Sequence, residues 1–326
     1  MAVIHQRHLV RLQREVDVFI ARELAANLAA KTGFDRYQTS EIETSISELG
    51  TNALKYGERG WASLRIDDKG FEAVVSDEGP GFKTAPKARS GLGVGLAGVK
   101  RLMDTMEIDS FPQGSRVRVR KELPRSAVNQ GPSHWSIDVV TRARLGRSVS
   151  GDGFWAREAD GSLSVAVIDG LGTGDGAAHA SASVIESLES TDARVPIDEM
   201  LSAAHGRAVA TRGAVCLLVR IDPSHQSVEY AGLGDVSGFL YPPAEHLGLS
   251  PGILGVGEPE LRVSHLQWTH RSLLTMWSDG IALSSEAIMG GEATAQPGDW
   301  AETMALAHGV DRDDGLVLVA REGNAR

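Results

Sequence analysis

Every one of the seven lysines in the 326-residue chain lies at or before Lys121. A break that sharp marks two segments with separate histories, each of which must bury a core of its own. The length suits two domains of ordinary size. Charge changes at the same place: residues 1–123 hold 19 Lys plus Arg against 17 Asp plus Glu, and the remainder holds 14 against 26. The acidic second part lacks the clustered cations that a phosphate backbone requires, which argues against a nucleic-acid partner and suits cation binding. No apolar run reaches the roughly 18–20 residues that span a bilayer. The N-terminus lacks a signal-like apolar core, so a cytoplasmic protein without a membrane partner is expected. The lone Cys216 sits in AVCLLV and reads as a buried thiol in a reducing compartment.

The pattern of apolar residues gives an α+β order. From Val10 to Ala30 apolar residues recur at helical spacing, and Gly33 stops the helix. A second helix is expected from Gln38 to Tyr56, then strands WASLRID and FEAVVSD, a polar loop over 79–90, a helix from Gly95 to Met106, and strands MEIDSF and SRVRVRKEL. The stretch PRSAVNQGPS, residues 124–133, reads as a linker between domains 1–123 and 134–326. Beyond it, strands are expected near 134–144, 153–158, 162–169, 213–221, 226–233, 236–241, 271–277 and 314–321, with helices at 175–190, 197–211 and 299–308. Hairpin-ordered strands with consecutive helices predict a layered sandwich of mostly antiparallel sheets.

Three elements carry chemistry in the first segment. Glu48 and Asn52 lie one turn apart on one face of the second helix. An amide oxygen there can ligate Mg²⁺, a carboxylate can poise a hydroxyl, and Lys55 can meet phosphate. Asp77, with Gly79 and Gly81 behind it, ends a strand, where a carboxylate can accept from an exocyclic amine while glycines let backbone approach a flat base. Gly91, Gly93 and Gly95 open a helix and offer backbone N–H groups to phosphates. The match of this last element to a dinucleotide fingerprint is rejected, because a loop and not a strand precedes it.

In this order and at these separations, the three elements resemble the N, G1 and G2 boxes of the GHKL (Bergerat-fold) ATPases. The stretch GLGVGLAGVKRLMDTMEIDSFPQGSRVRV is similar to that of the small serine kinases of bacterial partner-switching systems, and the likeness covers nearly all of residues 1–123. The resemblance implies a Bergerat α/β sandwich that uses ATP with Mg²⁺. Asn52 would hold the metal, Glu48 would be the catalytic carboxylate, and Asp77 would bind the adenine amine. The glycines would wrap the phosphates, and Ser115 would stand in for a threonine frequent in the family. No phosphoacceptor-histidine helix pair precedes the boxes, which disfavours a sensor histidine kinase.

In the second segment, carboxylates sit beside glycines at the ends of apolar runs: Gly151-Asp152-Gly153, SVAVID ending at Asp169-Gly170, LLTMWSD ending at Asp279-Gly280, and Asp313-Asp314 leading into GLVLVA. Four such charges on one sheet rim repel unless divalent cations join them, and oxygen donors suit Mg²⁺ or Mn²⁺. Two such cations can activate water for attack on phosphorus without a protein nucleophile. Asp222 and Asp235 read as turn residues. The serial pattern resembles the SpoIIE-like branch of the PPM metal-dependent Ser/Thr phosphatases, over roughly residues 134–321. That resemblance implies an α-β-β-α sandwich and two Mn²⁺ or Mg²⁺ held by Asp152, Asp169, the Gly170 carbonyl, Asp279 and Asp313, with Asp314 competing for the last place. Thr173 stands where the branch often has His, and Gly315-Leu316 where it often has Thr. Neither departure touches a ligand. Arg144 and Arg147 read equally as phosphate contacts and as solvated surface.

Together the resemblances imply a bifunctional switch: an ATP-dependent serine/threonine kinase and a metal-dependent phosphatase acting on STAS-domain antagonist or stressosome proteins. Two alternatives stay open. The first domain can be a non-catalytic ATP-binding module that docks and gates the phosphatase, or an anti-sigma factor that sequesters a sigma factor.

Overall fold

The computed structural model describes residues 3–57, 59–67, 69–79, 94–123, 134–289 and 297–323. They divide into two compact units, one of residues 5–129 with 145–148, the other of residues 1–4, 130–144 and 149–326. The stretch 124–133, read as a linker, lies outside the described residues.

The first unit is built from β1 (Val3–Leu12), α1 (Glu15–Thr32), α2 (Arg36–Tyr56), β2 (Gly60–Asp67), β3 (Gly70–Asp77), α3 (Val94–Leu102), β4 (Thr105–Phe111) and β5 (Gly114–Glu122). Its strands run in the order β1-β2-β3-β5-β4, each neighbour antiparallel. Strand alternation turns Leu64, Ala73, Val75, Val117 and Val119 to one side, where they share a core with Ala21, Ala25 and Ala29 of α1 and Ile42, Ile46 and Leu49 of α2. Each large side chain buried this way contributes about 1.5–3 kcal/mol. The other face carries Arg65, Asp67, Glu72 and Arg120, which form ion pairs across three strands.

Two expectations fail here. Val10 and Leu12 are not helical; they lie in β1 and pair with Ala62 and Gly60 of β2. The buried Asp17 carboxylate explains the later start of α1, for it accepts the Gln13 and Arg14 N–H groups at 3.1 and 2.9 Å and closes the helix N-terminus there. Likewise α3 ends at Leu102, and Met106 pairs with Val119 instead of extending the helix. At α2 the reading and the structure agree closely. Asp35 accepts the Gln38 N–H at 2.8 Å while the Gln38 side chain accepts the Asp35 N–H at 3.1 Å, a reciprocal cap that fixes the start.

The second unit follows as β6 (Trp135–Arg142), β7 (Asp152–Ala159), β8 (Ser162–Gly170), α4 (Asp175–Ser190), α5 (Ile197–Ala208), β9 (Ala214–Asp222), β10 (Ser227–Leu233), β11 (Ser237–Tyr241), β12 (Glu245–His246), β13 (Ser264–Gln267), β14 (Leu273–Trp277), α6 (Ser285–Met289), α7 (Pro297–His308) and β15 (Gly315–Glu322). One sheet runs β12-β11-β14-β15-β6 and the other β13-β10-β9-β8-β7, antiparallel throughout. Leu163, Val165 and Val167 of β8 and Leu217 and Val219 of β9 meet Ile137, Val139, Leu316 and Leu318 between the sheets. The alternate residues Ala166, Ile168, Cys216 and Leu218 face α4 and α5. With α7 against β6 and β15, the unit is an α-β-β-α sandwich. Cys216 is buried in its apolar layer, and burial pushes its thiol up to about 12. The short β12, β13 and α6 carry too little periodicity to be read from sequence.

Candidate functional site

In the first unit the chemistry-bearing residues come from α2, α3, β3 and β5. Glu48 and Asn52 stand one turn apart on α2, while Ile42, Ile46, Leu49 and Ala53 face the core. The start of α3 lies directly against them: a Cβ on Gly95 would sit 2.3 Å from Glu48 Oε2 and 3.9 Å from Asn52 Nδ2, so a side chain there would displace the Glu48 carboxylate. Asp77 ends β3 opposite Ser115 of β5. The Ser115 hydroxyl donates to Asp77 Oδ2, and the Gly79 N–H donates to Oδ1 at 2.8 Å. A Cβ on Gly79 would lie 2.4 Å from the Tyr56 carbonyl oxygen, and one on Gly57 would lie 2.4 Å from Asp77 Cβ. The C-terminal end of α2 therefore touches the end of β3. Asp77, Ser115 and Gly79 thus lie at the same end of the unit as Asn52 and Gly95. Lys55 is exposed on the last turn of α2. Gly81, Gly91 and Gly93 lie outside the described residues.

In the second unit Asp152 opens β7 and Asp169 nearly ends β8, and the two are register partners. Their carboxyl groups are in hydrogen-bond contact, as are those of Asp169 and Asp279. Burial, then the charges of Asp314 and Asp279, push Asp152 up to about 7; burial, then Asp152 and Asp279, push Asp169 up to about 9. Burial and then Asp313 and Asp235 raise Asp279 as well. Carboxylates in such contact share protons unless a cation replaces them. Among the described residues no three or more His, Cys, Asp or Glu side chains already form a cage for a metal ion. The donors do not share one sheet rim as expected, for Asp152 and Asp169 lie on one sheet and Asp279 and Asp313 at strand ends of the other, but all are hard oxygens, the chemistry that Mg²⁺ and Mn²⁺ take. Backbone glycines let the cluster close: a Cβ on Gly170 would lie 2.0 Å from the Ala177 carbonyl oxygen, and one on Gly280 only 1.5 Å from that of Asp314.

The two candidates for the last ligand differ in their surroundings. Buried Asp314 spends Oδ1 on the Arg144 N–H and Oδ2 on the Gly151 N–H, both at 2.7 Å. It fixes the chain leading to Asp152. Among the described residues Asp313 Oδ1 accepts the N–H of Asp314, at 3.0 Å, and its charge reaches Asp279. Asp311, in the same run, pairs with the buried Arg142.

Two residues escaped the sequence reading. Ser278 is fully buried; its hydroxyl donates to Asp152 Oδ2 at 2.6 Å and accepts the Leu316 N–H at 2.9 Å. Its only local sign was a polar residue ending an apolar run. Asp235, read as a turn, lies near enough to raise both Asp169 and Asp279. It had the same signal as the others, an acidic residue beside glycine after a strand.

Comparison with known proteins bears on both units. Residues 13–121 match the family described as histidine kinase-like ATPase domain, and residues 159–315 match stage II sporulation protein E (SpoIIE). The serine/threonine-protein kinase RsbT of Bacillus subtilis is 33% identical over 37% of this chain and 99% of its own length. The chain belongs to the RsbT-like histidine kinase-like ATPases, with a SpoIIE PP2C-type phosphatase domain behind. The phosphoserine phosphatase RsbX of Bacillus subtilis is 28% identical over 30% of this chain and 49% of its own length. A solved structure of RsbX in complex with magnesium shares the fold, with a TM-score of 0.53 at 18% identity, covering 67% of this chain and all of that one. A structure from work on the bacterial stressosome, described as a modular system adapted to control secondary messenger signaling, has a TM-score of 0.54 at 27% identity over 58% of this chain and all of its own.

The RsbT-like domain thus carries the expected Bergerat sandwich, and the SpoIIE-type domain the expected α-β-β-α sandwich. Among the described residues no helix is long and apolar enough to cross a membrane.

Proposed function

We propose that the chain is a bifunctional partner-switching regulator: its RsbT-like domain phosphorylates a serine or threonine of a STAS-domain protein with ATP, and its SpoIIE-type domain removes such phosphates. The observation that carries the phosphatase half is the contact chain Asp152–Asp169–Asp279, which joins the ends of β7 and β8 in one sheet to the end of β14 in the other. Asp152, Asp169, the Gly170 carbonyl, Asp279 and Asp313 would hold two divalent cations. Such a pair supplies an activated water and neutralises phosphoryl oxygens. Ser278 fixes the Asp152 carboxylate through its hydroxyl, and Asp314 holds the strand lead-in by two backbone amides. No side chain of the domain needs to become covalently phosphorylated.

In the kinase half, Asp77 accepts from the adenine amine while Ser115 and Gly79 hold its carboxylate in place. Asn52 would offer an amide oxygen to the Mg²⁺ that accompanies the nucleotide. Glu48 takes the proton of the partner hydroxyl as its oxygen attacks the γ-phosphorus, and ADP leaves. The contact of Gly95 with Glu48 and Asn52 supports this reading, for it places the α3 N-terminus beside both.

The test uses the full chain, labelled ATP, Mn²⁺ and a purified STAS-domain protein. Label should transfer to the partner with wild type, fail with Glu48→Ala, and persist several-fold longer with Asp152→Ala. Transfer that is unchanged in Glu48→Ala refutes the kinase and leaves an ATP-binding docking domain. A lifetime unchanged in Asp152→Ala refutes the phosphatase.

A further inference from the structure

Beside the cluster of Asp152, Asp169, Asp279, Asp313 and Asp235, one arginine among the described residues packs against the glycines of the loop after Gly170. Arg212 precedes β9 by two residues and lies over the loop that follows Gly170. A Cβ on Gly176 would sit 2.6 Å from Arg212 Nε and 2.7 Å from its Cζ, and one on Gly172 would sit 3.2 Å from a terminal guanidinium nitrogen. The absence of side chains at both glycines lets the guanidinium rest on the backbone there.

The backbone beneath Arg212 is fixed on both sides. The Thr211 hydroxyl donates to the Ala208 carbonyl at 2.7 Å and accepts the Gly213 N–H at 3.0 Å. The Gly213 carbonyl accepts the Leu171 N–H at 3.0 Å, which ties this turn to the residue right after the candidate ligand Gly170. Ala214 and Leu254 exchange both backbone hydrogen bonds, at 3.1 and 2.8 Å. Gly213 itself takes φ +89°, where a side chain would be strained.

This placement contrasts with six other arginines of the unit. Arg142, Arg157, Arg194, Arg207, Arg220 and Arg262 are each matched to a carboxylate. Arg212 is exposed and, among the described residues, neither hydrogen-bonds nor pairs with any carboxylate, the nearby Asp175 of α4 included. A guanidinium held on a rigid turn beside an acidic cluster, with its donors uncommitted, suits an anion arriving from outside. Its planar fork matches two oxygens of a phosphoryl group.

We infer that Arg212 binds the phosphoryl oxygens of the phosphoserine or phosphothreonine substrate beside the carboxylates of the SpoIIE-type domain and sets the affinity for it. The inference rests on the phosphatase reading above. The cations that the carboxylates would hold neutralise charge at the reacting phosphorus, and the guanidinium adds a two-donor fork that orients the remaining phosphoryl oxygens.

The experiment measures Mn²⁺-dependent phosphate release by the full chain from a phosphoserine peptide, with inorganic phosphate as competing inhibitor. For Arg212→Ala, KM and the inhibition constant of phosphate should both rise about tenfold, the loss of one charge-assisted contact, while kcat stays within about threefold of wild type. Arg212→Lys should fall between the two, because it keeps the charge and loses the fork. Arg194→Ala, at an arginine on the turn between α4 and α5 that pairs with Asp160, should match wild type. The melting temperature of Arg212→Ala should not move, since the side chain holds nothing in the fold. An unchanged KM or an unchanged phosphate inhibition in Arg212→Ala overturns the inference. A wild-type chain that releases no phosphate overturns the phosphatase reading instead.

Discussion

Ser278 shows how much a neutral side chain can decide. It sits between Asp152 and the start of β15, donating a hydrogen bond to one and accepting one from the other. Ser278→Ala should lower phosphate release about 10–100-fold and weaken Mn²⁺ binding, as loss of groups that orient metal ligands generally does. A Mn²⁺ titration of activity measures both, and Ser278→Thr should restore part of the loss. Gly95→Ala tests the other domain: its Cβ would press on Glu48, so label transfer should drop at least tenfold while phosphate release is unchanged. At this scale the sequence was legible where a residue carries its own signature. Asp152, Asp169 and Asp279 each stand beside a glycine at the edge of an apolar run, and Glu48 and Asn52 share a helical turn. Ser278 and Arg212 have no such mark. Their meaning comes from strands far apart in the chain, and a single sequence does not state those pairings.

Between elements, the charged ladder on β2, β3 and β5 gives a pH-dependent term. Burial raises Asp67, but the Arg120 hydrogen bonds, the Lys69 N–H and the Arg120 and Arg65 charges together outweigh it; for Glu72 the charges and hydrogen bonds of Arg65 and Arg120 together do the same. Both carboxylates thus end below their ordinary values of 3.8 and 4.5. A depressed carboxylate stabilises the fold above its ordinary value, and that contribution disappears as pH falls through the lower, folded value. Amide exchange in β2, β3 and β5 should stay slow from pH 7 to pH 5 and accelerate below about pH 4. In Arg120→Leu the two carboxylates keep their burial and lose their main partner, so acceleration should begin at higher pH and the strands should lose about 2 kcal/mol. Most of the elements were readable because two-residue and helical periods separate cleanly in WASLRID, SVAVID or the run from Ile42 to Ala53. The start of α1 was not. Val10 and Leu12 fit a helical count by chance, and the deciding group, the carboxylate of Asp17, acts through hydrogen bonds that hydropathy does not register.

For the whole molecule, the proposal sets two opposed activities on one chain, so their balance is fixed at synthesis. Mixing Glu48→Ala with Asp152→Ala chains should restore cycling of phosphate from ATP through the partner to solution, at a lower rate than wild type, because the two sites no longer share an effective concentration. Continuous phosphate release in the presence of ATP and partner measures this; no release from the mixture would mean that the sites must work in cis. The close approach of Gly280 to the Asp314 carbonyl has a bearing on how such proteins diverge. A single methyl group at that glycine would pry apart the two loops bearing Asp279 and Asp313 without altering any acidic residue. A descendant could thereby keep all its aspartates and lose its hydrolysis, becoming a one-way writer of phosphate that an inventory of acidic positions would still score as an eraser.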